Sequence, residues 1–270
     1  MSKTFKLALF GNPVSHSLSP KIHQNFAEQF DLKIQYDLIQ VESENLHQTV
    51  IDFSKNGGHG ANVTLPHKQQ VIDSIENISE TAKQAHAVNT LYLDVEGQIC
   101  GENTDGIGFI NDLSNRCHID CNGKNILILG AGGAAQGIVP EIMKNKPKSL
   151  VITNRSIEKA EKIAVSNNSK AMTFEQLKDF NQSFDLIIHA SSLGHKGQTL
   201  KFKQQHIHSK TQGYDLSYGK AAQPFLDFCD SMKIQSYDGI GMLIEQAAAA
   251  FEIWFGVKPE THTIFQKLEK

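Results

Sequence analysis

One apolar run and the glycine-rich turn after it constrain the fold of this chain more than any other feature. Asn125-Ile126-Leu127-Ile128-Leu129 has the composition of a strand that is buried on both faces of a parallel sheet. It leads directly into Gly130-Ala131-Gly132-Gly133-Ala134-Ala135, and a helix is predicted over Gly133–Lys144. A strand, a glycine turn and a helix in this order predict a βαβ unit, and therefore a parallel sheet covered by helices.

The turn fits the pattern G-x-G-x-x-A of dinucleotide-binding proteins. Gly130 permits the tight turn, Gly132 lets a pyrophosphate approach the backbone, and Ala135 allows the helix to pack closely on the strand. The free N–H groups and the positive dipole end of the helix attract phosphate oxygens. The residues predicted to contact the cofactor here are Gly130, Ala131, Gly132, Gly133 and Ala134.

The end of the next strand predicts which dinucleotide is bound. NAD sites place an acidic residue about 20 residues beyond the turn, where it accepts hydrogen bonds from the ribose hydroxyls. The predicted strand Leu150–Thr153 is instead followed by Asn154-Arg155-Ser156, without a carboxylate. Arg155 could hold a 2′-phosphate through two hydrogen bonds, Ser156 could add a hydroxyl, and Lys159 could add charge. The pattern favours NADP(H), although a solvated loop arginine would have the same sequence.

The composition is that of a soluble enzyme. The chain has 270 residues, which is enough for two domains, and it is 40% apolar and 20% charged. Its formal net charge is −3, so it has no positive electrostatic field that would recruit nucleic acid. No apolar run approaches the ~20 residues of a membrane span, and no signal peptide is recognised. We therefore expect a cytoplasmic protein with neither a nucleic acid nor a membrane as partner.

The segment Cys117-His118-Ile119-Asp120-Cys121 has the residue types of a metal site. A structural zinc ion takes four ligands, usually from two pairs, and the sequence offers no second pair at the required spacing. We therefore expect no metal.

The first hundred residues alternate between strand-like and helix-like segments, as in βαβ units around a mostly parallel sheet. The predicted strands are Lys6–Phe10, Ile34–Gln40, Gly60–Thr64 and Thr90–Asp94. The predicted helices are Pro20–Phe30, Ser43–Asn56, His67–Glu76 and Ser79–His86, and a further helix over Gly106–Asn115 leads to the second domain.

The stretch Asn62-Val63-Thr64-Leu65-Pro66-His67-Lys68 places a lysine at the end of a predicted strand. Pro66 cannot continue a strand ladder, so Thr64 and Lys68 are expected at a strand–loop–helix turn. A lysine at such a position is usually solvated. The later segment Glu102-Asn103-Thr104-Asp105-Gly106 offers a carboxylate partner, and a lysine beside an aspartate in a cleft suits proton transfer. Both interpretations stay open on these residues alone.

Two further segments have polar groups suited to a small ligand. Ser15-His16-Ser17-Leu18-Ser19-Pro20 predicts a helix start with Ser19 as N-cap and Pro20 as the first helical residue, and the hydroxyls of Ser17 and Ser19 could also bind a small carboxylate. Gln246 is one amide in an otherwise apolar face of a helix predicted from about Gly241 to Phe255. Because burial of an unpaired amide is costly, a ligand hydroxyl is a reasonable partner for it.

Together these motifs resemble the shikimate dehydrogenase family, in order and over essentially the whole chain. The matching segments are Gly11 to Pro13, His16 to Pro20, Asn62 to Lys68, Ala87 to Thr90, Gly101 to Gly106, the Gly130 turn, Asn154 to Ser156, Tyr214 to Tyr218 and Asp238 to Leu243. The resemblance implies an α/β fold of two domains. These are an N-terminal, mostly parallel α/β substrate domain (1–105) and a Rossmann-type NADP-binding domain (106–237), with a C-terminal helical segment (238–270) that returns to the substrate domain.

The resemblance also implies a reaction, the reversible NADPH-dependent reduction of 3-dehydroshikimate to shikimate in aromatic amino acid biosynthesis, by a monomer or homodimer. Lys68 and Asp105 would form the catalytic pair. Ser17, Ser19 and Tyr218 would hold the substrate carboxylate, and Thr64, Asn89, Asp105 and Gln246 its ring hydroxyls. Leu216 and Gly239 would line the nicotinamide end of the cofactor pocket, and Glu80 would be a further cofactor contact.

Two positions depart from the family pattern. His189 stands where the family usually has Asn, before Ala190-Ser191-Ser192-Leu193-Gly194, and could alter the loop near the nicotinamide. His86 stands where the family usually has Gly.

Two other functions stay open. One is an NAD-using quinate/shikimate dehydrogenase, whose expected acidic residue is absent. The other is a non-catalytic sensor of NADP(H) and a small acid, which could dispense with Lys68 or Asp105.

Overall fold

The structure, a computed structural model, describes residues 3–268. The chain forms two compact units. The first combines the described residues up to Gly108 with those from Leu243 onward, and the second comprises Phe109–Met242. The C-terminal segment therefore returns to the N-terminal unit. In the part of the chain that the structure describes, no helix is both long enough and apolar enough to cross a membrane.

The strands and helices alternate along most of the chain. The strands are β1 (Thr4–Gly11), β2 (Lys33–Gln40), β3 (Gly58–Val63), β4 (Asn77–Ile78), β5 (Thr90–Leu93), β6 (Ile99–Glu102), β7 (Asn125–Leu129), β8 (Ser149–Asn154), β9 (Lys170–Thr173), β10 (Leu186–His189), β11 (Gln212–Asp215) and β12 (Gln235–Tyr237). The α-helices are α1 (Ser19–Glu28), α2 (Leu46–Lys55), α3 (Glu80–Ala85), α4 (Asp105–Asn115), α5 (Gly133–Lys144), α6 (Ile157–Ser166), α7 (Phe174–Asp179), α8 (Gln223–Ser231), α9 (Ile240–Phe255) and α10 (His262–Leu268).

The sheet of the first unit is mixed, with the order β2-β1-β3-β5-β6-β4. β1 pairs in parallel with β2 and β3, whereas β5 is antiparallel to both β3 and β6. This antiparallel arrangement decides where the polar residues lie. β5 begins at the edge of the sheet where β3 ends, and β6 returns to that same edge, so the residues that follow β3, precede β5 and follow β6 all meet there.

The sheet of the second unit is parallel throughout, with the order β12-β11-β10-β7-β8-β9. Its centre is buried on both faces, because Ile126 and Ile128 of β7 belong to one hydrophobic cluster whereas Leu127 and Leu129 belong to another. This explains why the run from Ile126 to Leu129 is entirely apolar. From β7 the chain moves outward through β8 and β9, then returns to β10 on the other side of β7 and continues to β11 and β12. The strand order therefore reverses between β7 and β10, where doubly wound sheets bind their ligands.

The fold class predicted from the sequence is confirmed, but two local predictions are wrong. A helix over His67–Glu76 does not form, and only Gln70–Ser74 adopts a 3₁₀ helix. The carbonyl oxygen of Lys68 accepts the N–H of Val88 (2.8 Å), and the N–H of Ile72 bonds to Gln69 (3.3 Å) instead of to residue 68. A tertiary hydrogen bond has therefore replaced the α-helical one.

The second error concerns the start of α1. Ser19 is the first residue of the helix, Leu18 is its N-cap, and no side-chain cap hydrogen bond is formed there. The hydroxyl of Ser17 accepts the N–H of Ser19 instead (3.2 Å).

Candidate active site

A lysine and an aspartate from two distant segments of the first unit are in contact. Lys68 Nζ lies 2.6 Å from Asp105 Oδ2, and the side chains are 23% and 7% exposed, respectively. Lys68 follows β3, and Asp105 is the first residue of α4, where the helix dipole favours a negative charge. The ammonium group is therefore fixed at one side by the carboxylate while part of the lysine side chain remains open to a ligand.

The carboxylate of Asp105 is held from the other side by Asn89. Asn89 Nδ2 donates to Asp105 Oδ1 (2.8 Å), and the N–H of Asp105 donates to Asn103 Oδ1 (3.0 Å). Asn89 is itself fixed, because its Oδ1 accepts the N–H of Thr104 (2.9 Å). Both oxygens of Asp105 thus have defined donors, which sets the direction in which Lys68 points.

The amide of Gln246 reaches the same group of residues from α9. Gln246 Oε1 accepts from Asn89 Nδ2 (3.3 Å), and its Nε2 donates to the carbonyl of Leu243 (2.8 Å). The approach depends on Gly108 in α4, because a Cβ at Gly108 would lie 2.6 Å from the backbone nitrogen of Gln246. The glycine therefore allows α9 to bring its amide next to Asn89.

Thr64, Ser17 and Ser19 follow the neighbouring strands β3 and β1. Thr64 is half-buried at the end of β3, and its N–H donates to the carbonyl of Phe10 (2.9 Å). Ser17 Oγ and Ser19 Oγ lie 3.1 Å apart, with Ser19 buried and Ser17 half-buried. The two hydroxyls form a small polar pair at the N-terminal end of α1, where an anion is favoured.

The glycine-rich turn of the second unit has the geometry of a pyrophosphate site. Gly130 has φ +115°, and a Cβ there would lie 2.6 Å from the carbonyl oxygen of Ala190, so a side chain is excluded. In contrast, apart from the adjoining residues and the backbone of α5 itself, no described protein atom lies within 4 Å of the place where a Cβ of Gly132 or Gly133 would stand. Because packing within the protein does not require glycine at these two positions, the open space suits a ligand that approaches the backbone at the start of α5. Ala131 and Ala135 are buried beneath the turn, and Ala134 is exposed.

The polar residues after β8 are accessible. Arg155 and Lys159 are exposed, and Asn154 Nδ2 donates to the carbonyl of Ser156 (3.0 Å). The Ser156 hydroxyl donates to Glu158 Oε2 (2.5 Å) and lowers the pKa of this exposed carboxyl. Sequence reasoning missed Glu158 because the residue lies beyond the strand end, in the first turn of α6. The guanidinium of Arg155 therefore remains accessible, whereas the Ser156 hydroxyl is already engaged by Glu158.

Leu216 and Gly239 lie together after β11 and β12. Gly239 donates its N–H to the carbonyl of Ser217 (2.8 Å), and a side chain at Gly239 would overlap the Leu216 carbonyl. Tyr218 follows in the same unit and is half-buried, which raises the pKa of its hydroxyl. Glu80 lies in the first unit at the start of α3, where its exposed side chain pairs with Lys83 (2.7 Å).

His86 and His189, the two residues that the sequence analysis set apart, have different structural roles. His86 ends α3 in the left-handed conformation, with φ +46° and ψ +36°, which explains why glycine suits this position. His189 is buried at the end of β10 and contacts Asp215 and Ser191. Sequence reasoning singled out His189 but not these contacts, since Asp215 comes from a neighbouring strand.

Three family models match consecutive parts of the chain. A model described as the shikimate dehydrogenase substrate binding domain matches residues 9–91. A shikimate / quinate 5-dehydrogenase model matches residues 112–212, and a model of the shikimate 5'-dehydrogenase C-terminal domain matches residues 239–268.

Curated and solved proteins match the chain over nearly its full length. The shikimate dehydrogenase (NADP(+)) of Coxiella burnetii is 38% identical over 269 residues, which cover 98% of each chain. The crystal structure of an Ael1 enzyme from Pseudomonas putida superposes with a TM-score of 0.90 at 32% identity and covers 98% of each chain. Shikimate 5-dehydrogenase from Thermus thermophilus, solved in complex with NADP(H) and shikimate, superposes with a TM-score of 0.85 at 26% identity and covers 96% of each chain.

The doubly wound parallel sheet and its glycine turn define an α/β protein of the dinucleotide-binding class. Within that class, the chain belongs to the shikimate dehydrogenase family.

Proposed function

We propose that the protein catalyses the reversible reduction of 3-dehydroshikimate to shikimate with NADPH, as a step of aromatic amino acid biosynthesis. The observation that carries this proposal is the contact of 2.6 Å between Lys68 Nζ and Asp105 Oδ2, with Asn89 on the second carboxylate oxygen. When bound, NADPH supplies the hydride to the ketone carbon. The protein must then orient the substrate and deliver a proton to the ketone oxygen.

Lys68 is the proton donor in this proposal. Its ammonium group is held by Asp105 in a partly open position, so it can also reach a substrate oxygen, act as general acid in the reduction and act as general base in the reverse reaction. Asp105 orients the ammonium and accepts a hydrogen bond from the substrate hydroxyl next to the reacting carbon. Thr64, Asn89 and Gln246 bind the remaining ring hydroxyls.

The other end of the substrate is an anion. The hydroxyls of Ser17 and Ser19, 3.1 Å apart at the start of α1, suit a carboxylate, and the family resemblance would add Tyr218 as a third donor. This assigns substrate binding mainly to residues 1–105 and 238–270, and cofactor binding mainly to residues 106–237.

For the cofactor, the turn from Gly130 to Ala134 would hold the pyrophosphate, and Arg155, with Asn154, Ser156 and Lys159, would hold the 2′-phosphate of NADP(H). Leu216 and Gly239 would contact the nicotinamide, and Glu80 is a further candidate contact. The strand end from Thr153 to Ser156 contains no carboxylate, which supports NADP(H) over NAD(H). The four cysteines, all buried and unpaired, support a reducing compartment such as the cytoplasm.

The decisive experiment is a steady-state assay of the purified protein with shikimate and quinate, each with NADP⁺ and NAD⁺, together with 3-dehydroshikimate and NADPH. The proposal requires consumption of NADPH with 3-dehydroshikimate, and the highest kcat/KM for the pair of shikimate and NADP⁺. A preference for NAD⁺, or for quinate, would favour a quinate/shikimate dehydrogenase. Tight binding of NADPH without turnover would favour the sensor. Light scattering of the same sample distinguishes a monomer from a homodimer.

A further inference from the structure

Three side chains form a buried chain of hydrogen bonds at the carboxyl ends of β10 and β11. His189 Nδ1 lies 2.8 Å from Asp215 Oδ2, and His189 Nε2 lies 2.9 Å from Ser191 Oγ. His189 is 1% exposed and Asp215 is 0% exposed. Because a carboxylate only accepts hydrogen bonds, Nδ1 carries the proton, and in the neutral ring the Ser191 hydroxyl donates to Nε2.

Each end of this chain holds the backbone of a loop. Asp215 Oδ1 accepts the N–H of Ser217 (2.7 Å) in the segment that follows β11, which we call the β11 loop (216–222). Ser191 Oγ accepts the N–H of Leu193 (3.4 Å) at the start of a short 3₁₀ helix, in the segment that we call the β10 loop (190–197). One imidazole therefore connects Ser191, near the start of the β10 loop, with Asp215, directly before the β11 loop.

The two loops also pack against each other further along. A Cβ at Gly194 of the β10 loop would overlap the carbonyl group of Ala221 in the β11 loop. The His189 ring itself is covered by Phe225, whose ring stacks on it at a centroid distance of 5.0 Å. Displacement of either loop would thus disturb the other as well as the packing around the imidazole.

The position of these loops relative to the glycine turn indicates which part of a bound dinucleotide they would contact. Gly130 follows β7 and packs directly against the carbonyl of Ala190, on one side of the point where the strand order reverses. Arg155 follows β8, on the opposite side of β7. A dinucleotide with its pyrophosphate at Gly130 and its 2′-phosphate at Arg155 must therefore extend its nicotinamide half over β10 and β11.

We propose that His189 is a positioning residue for the nicotinamide half of the cofactor. By binding Asp215 and Ser191 at once, His189 holds the β10 and β11 loops in place before the cofactor binds, so that binding does not have to order them. An asparagine at position 189 could place an amide N–H near the position of Nδ1 but would have no atom at the position of Nε2. The inference rests on the proposed function, because it takes NADP(H) as the ligand.

Serine, histidine and aspartate also make up nucleophilic triads, but this arrangement differs from a triad in two respects. The His189 ring is buried under Phe225 and cannot pass a proton to a leaving group in solvent. The Ser191 oxygen accepts the N–H of Leu193 and so serves as a helix cap. These contacts favour a role in fixing the two loops.

The test compares a whole cofactor with a fragment that lacks the nicotinamide. We would measure Kd values of H189N, S191A and the double variant for NADPH and for 2′,5′-ADP by titration calorimetry. Loss of one buried hydrogen bond predicts about tenfold weaker NADPH binding in each single variant, with binding of 2′,5′-ADP changed less than about twofold. Both substitutions remove the bond between residues 189 and 191, and S191A also removes the cap on Leu193. The double variant should therefore bind NADPH about as weakly as S191A does, without an additive loss.

A matched control is available in the same unit. His206 is 1% exposed, and its Nε2 lies 3.1 Å from the Phe180 carbonyl, away from the strand ends that carry the glycine turn. H206N should lower the thermal stability without changing the ratio of the two Kd values. Wild-type affinity for NADPH in H189N and S191A, or equal weakening of both ligands, would overturn the inference. If H189N does not fold, the two Kd values of S191A alone decide between these outcomes.

Turnover of 3-dehydroshikimate is measured separately. Wild-type protein that binds NADPH but lacks activity would refute the proposed function, whereas the comparison of NADPH with 2′,5′-ADP would still test the role of His189.

Discussion

Asn89 donates to the one oxygen of Asp105 that Lys68 does not contact, at 2.8 Å compared with 2.6 Å for the lysine. The carboxylate is therefore clamped between a neutral donor and a charged one. Such a clamp fixes the direction of the lysine ammonium while it leaves the remaining N–H bonds of that group for a substrate.

Replacement of Lys68 by alanine removes the proposed proton donor. We expect K68A to lower kcat by about 10²–10⁴-fold with a much smaller change in KM for 3-dehydroshikimate, since the proton is needed mainly in the transition state. Steady-state kinetics at saturating NADPH measure both constants. K178A, which removes an exposed lysine that pairs with Glu175 on α7, is the matched control and should behave like wild type. Retention of near wild-type kcat in K68A would exclude Lys68 as the general acid.

The exposed arginine after β8 determines cofactor preference in our proposal. R155Q should reduce kcat/KM for NADPH by about tenfold or more and leave kcat/KM for NADH nearly unchanged, because only NADPH carries the 2′-phosphate that the guanidinium would bind. The ratio of the two constants is the measurement. K162Q, at an exposed lysine on α6, controls for the general loss of one positive charge. An unchanged ratio in R155Q would rule out the arginine clamp.

His86 adopts a conformation that glycine adopts without strain. With φ +46°, the residue bears a steric cost that is absent in glycine, so H86G should raise the free energy of unfolding by about 0.5–1 kcal/mol. H86A should give no such gain, because alanine also has a Cβ. Urea unfolding of the three proteins makes the comparison. If H86A were stabilised as much as H86G, the gain would have to come from loss of the imidazole and not from relief of backbone strain.

Buried His23 should make the first unit sensitive to acid. The ring stacks on Tyr36 with centroids 4.9 Å apart, and burial lowers the pKa of His23 from 6.5 to about 3, an effect that the side chain of Asn62 only partly opposes. The folded state therefore binds fewer protons than the unfolded state between these values. The contribution of the neutral ring to stability is complete above pH 6.5 and is lost as the pH falls toward 3.

H23F keeps an aromatic ring at this position and removes the titration. The difference in unfolding free energy between wild type and H23F should therefore shift in favour of H23F by up to about 1.4 kcal/mol per pH unit below the unfolded pKa. H47Q, at an exposed histidine of α2, should show no such trend. Parallel stability curves for wild type and H23F would contradict the prediction.

The sequence predicted those parts of the molecule whose local pattern is strong. The parallel sheet of the second unit could be predicted because β7 is apolar at each of its inner positions. The turn could be predicted because Gly130 stands where the backbone needs a positive φ. Strand β6 was not predicted, because Ile-Cys-Gly-Glu is short and has no clear alternation of apolar and polar residues. Yet β6 is the element that returns the chain to the sheet edge where Asp105 meets Lys68.

Contacts between distant segments were the least predictable. Nothing in the local sequence of His189 indicates that Asp215 lies beside it, because the pairing depends on the neighbouring positions of β10 and β11. The missing helix after His67 has the same origin. There, the Lys68 carbonyl is bonded to Val88, and this long-range bond outweighs local helix propensity.

The first unit combines an early and a late segment of the sequence, and this affects the order in which the two units fold during translation. Asn89 and Gln246, which share a hydrogen bond, are 157 positions apart in the chain. During translation, the second unit is complete once residue 242 has emerged from the ribosome, whereas the first still lacks most of α9 and all of α10. The unit that begins the chain must therefore finish folding last, and a ribosome-bound chain that ends before Gln246 should hold a folded second unit beside an incomplete catalytic centre.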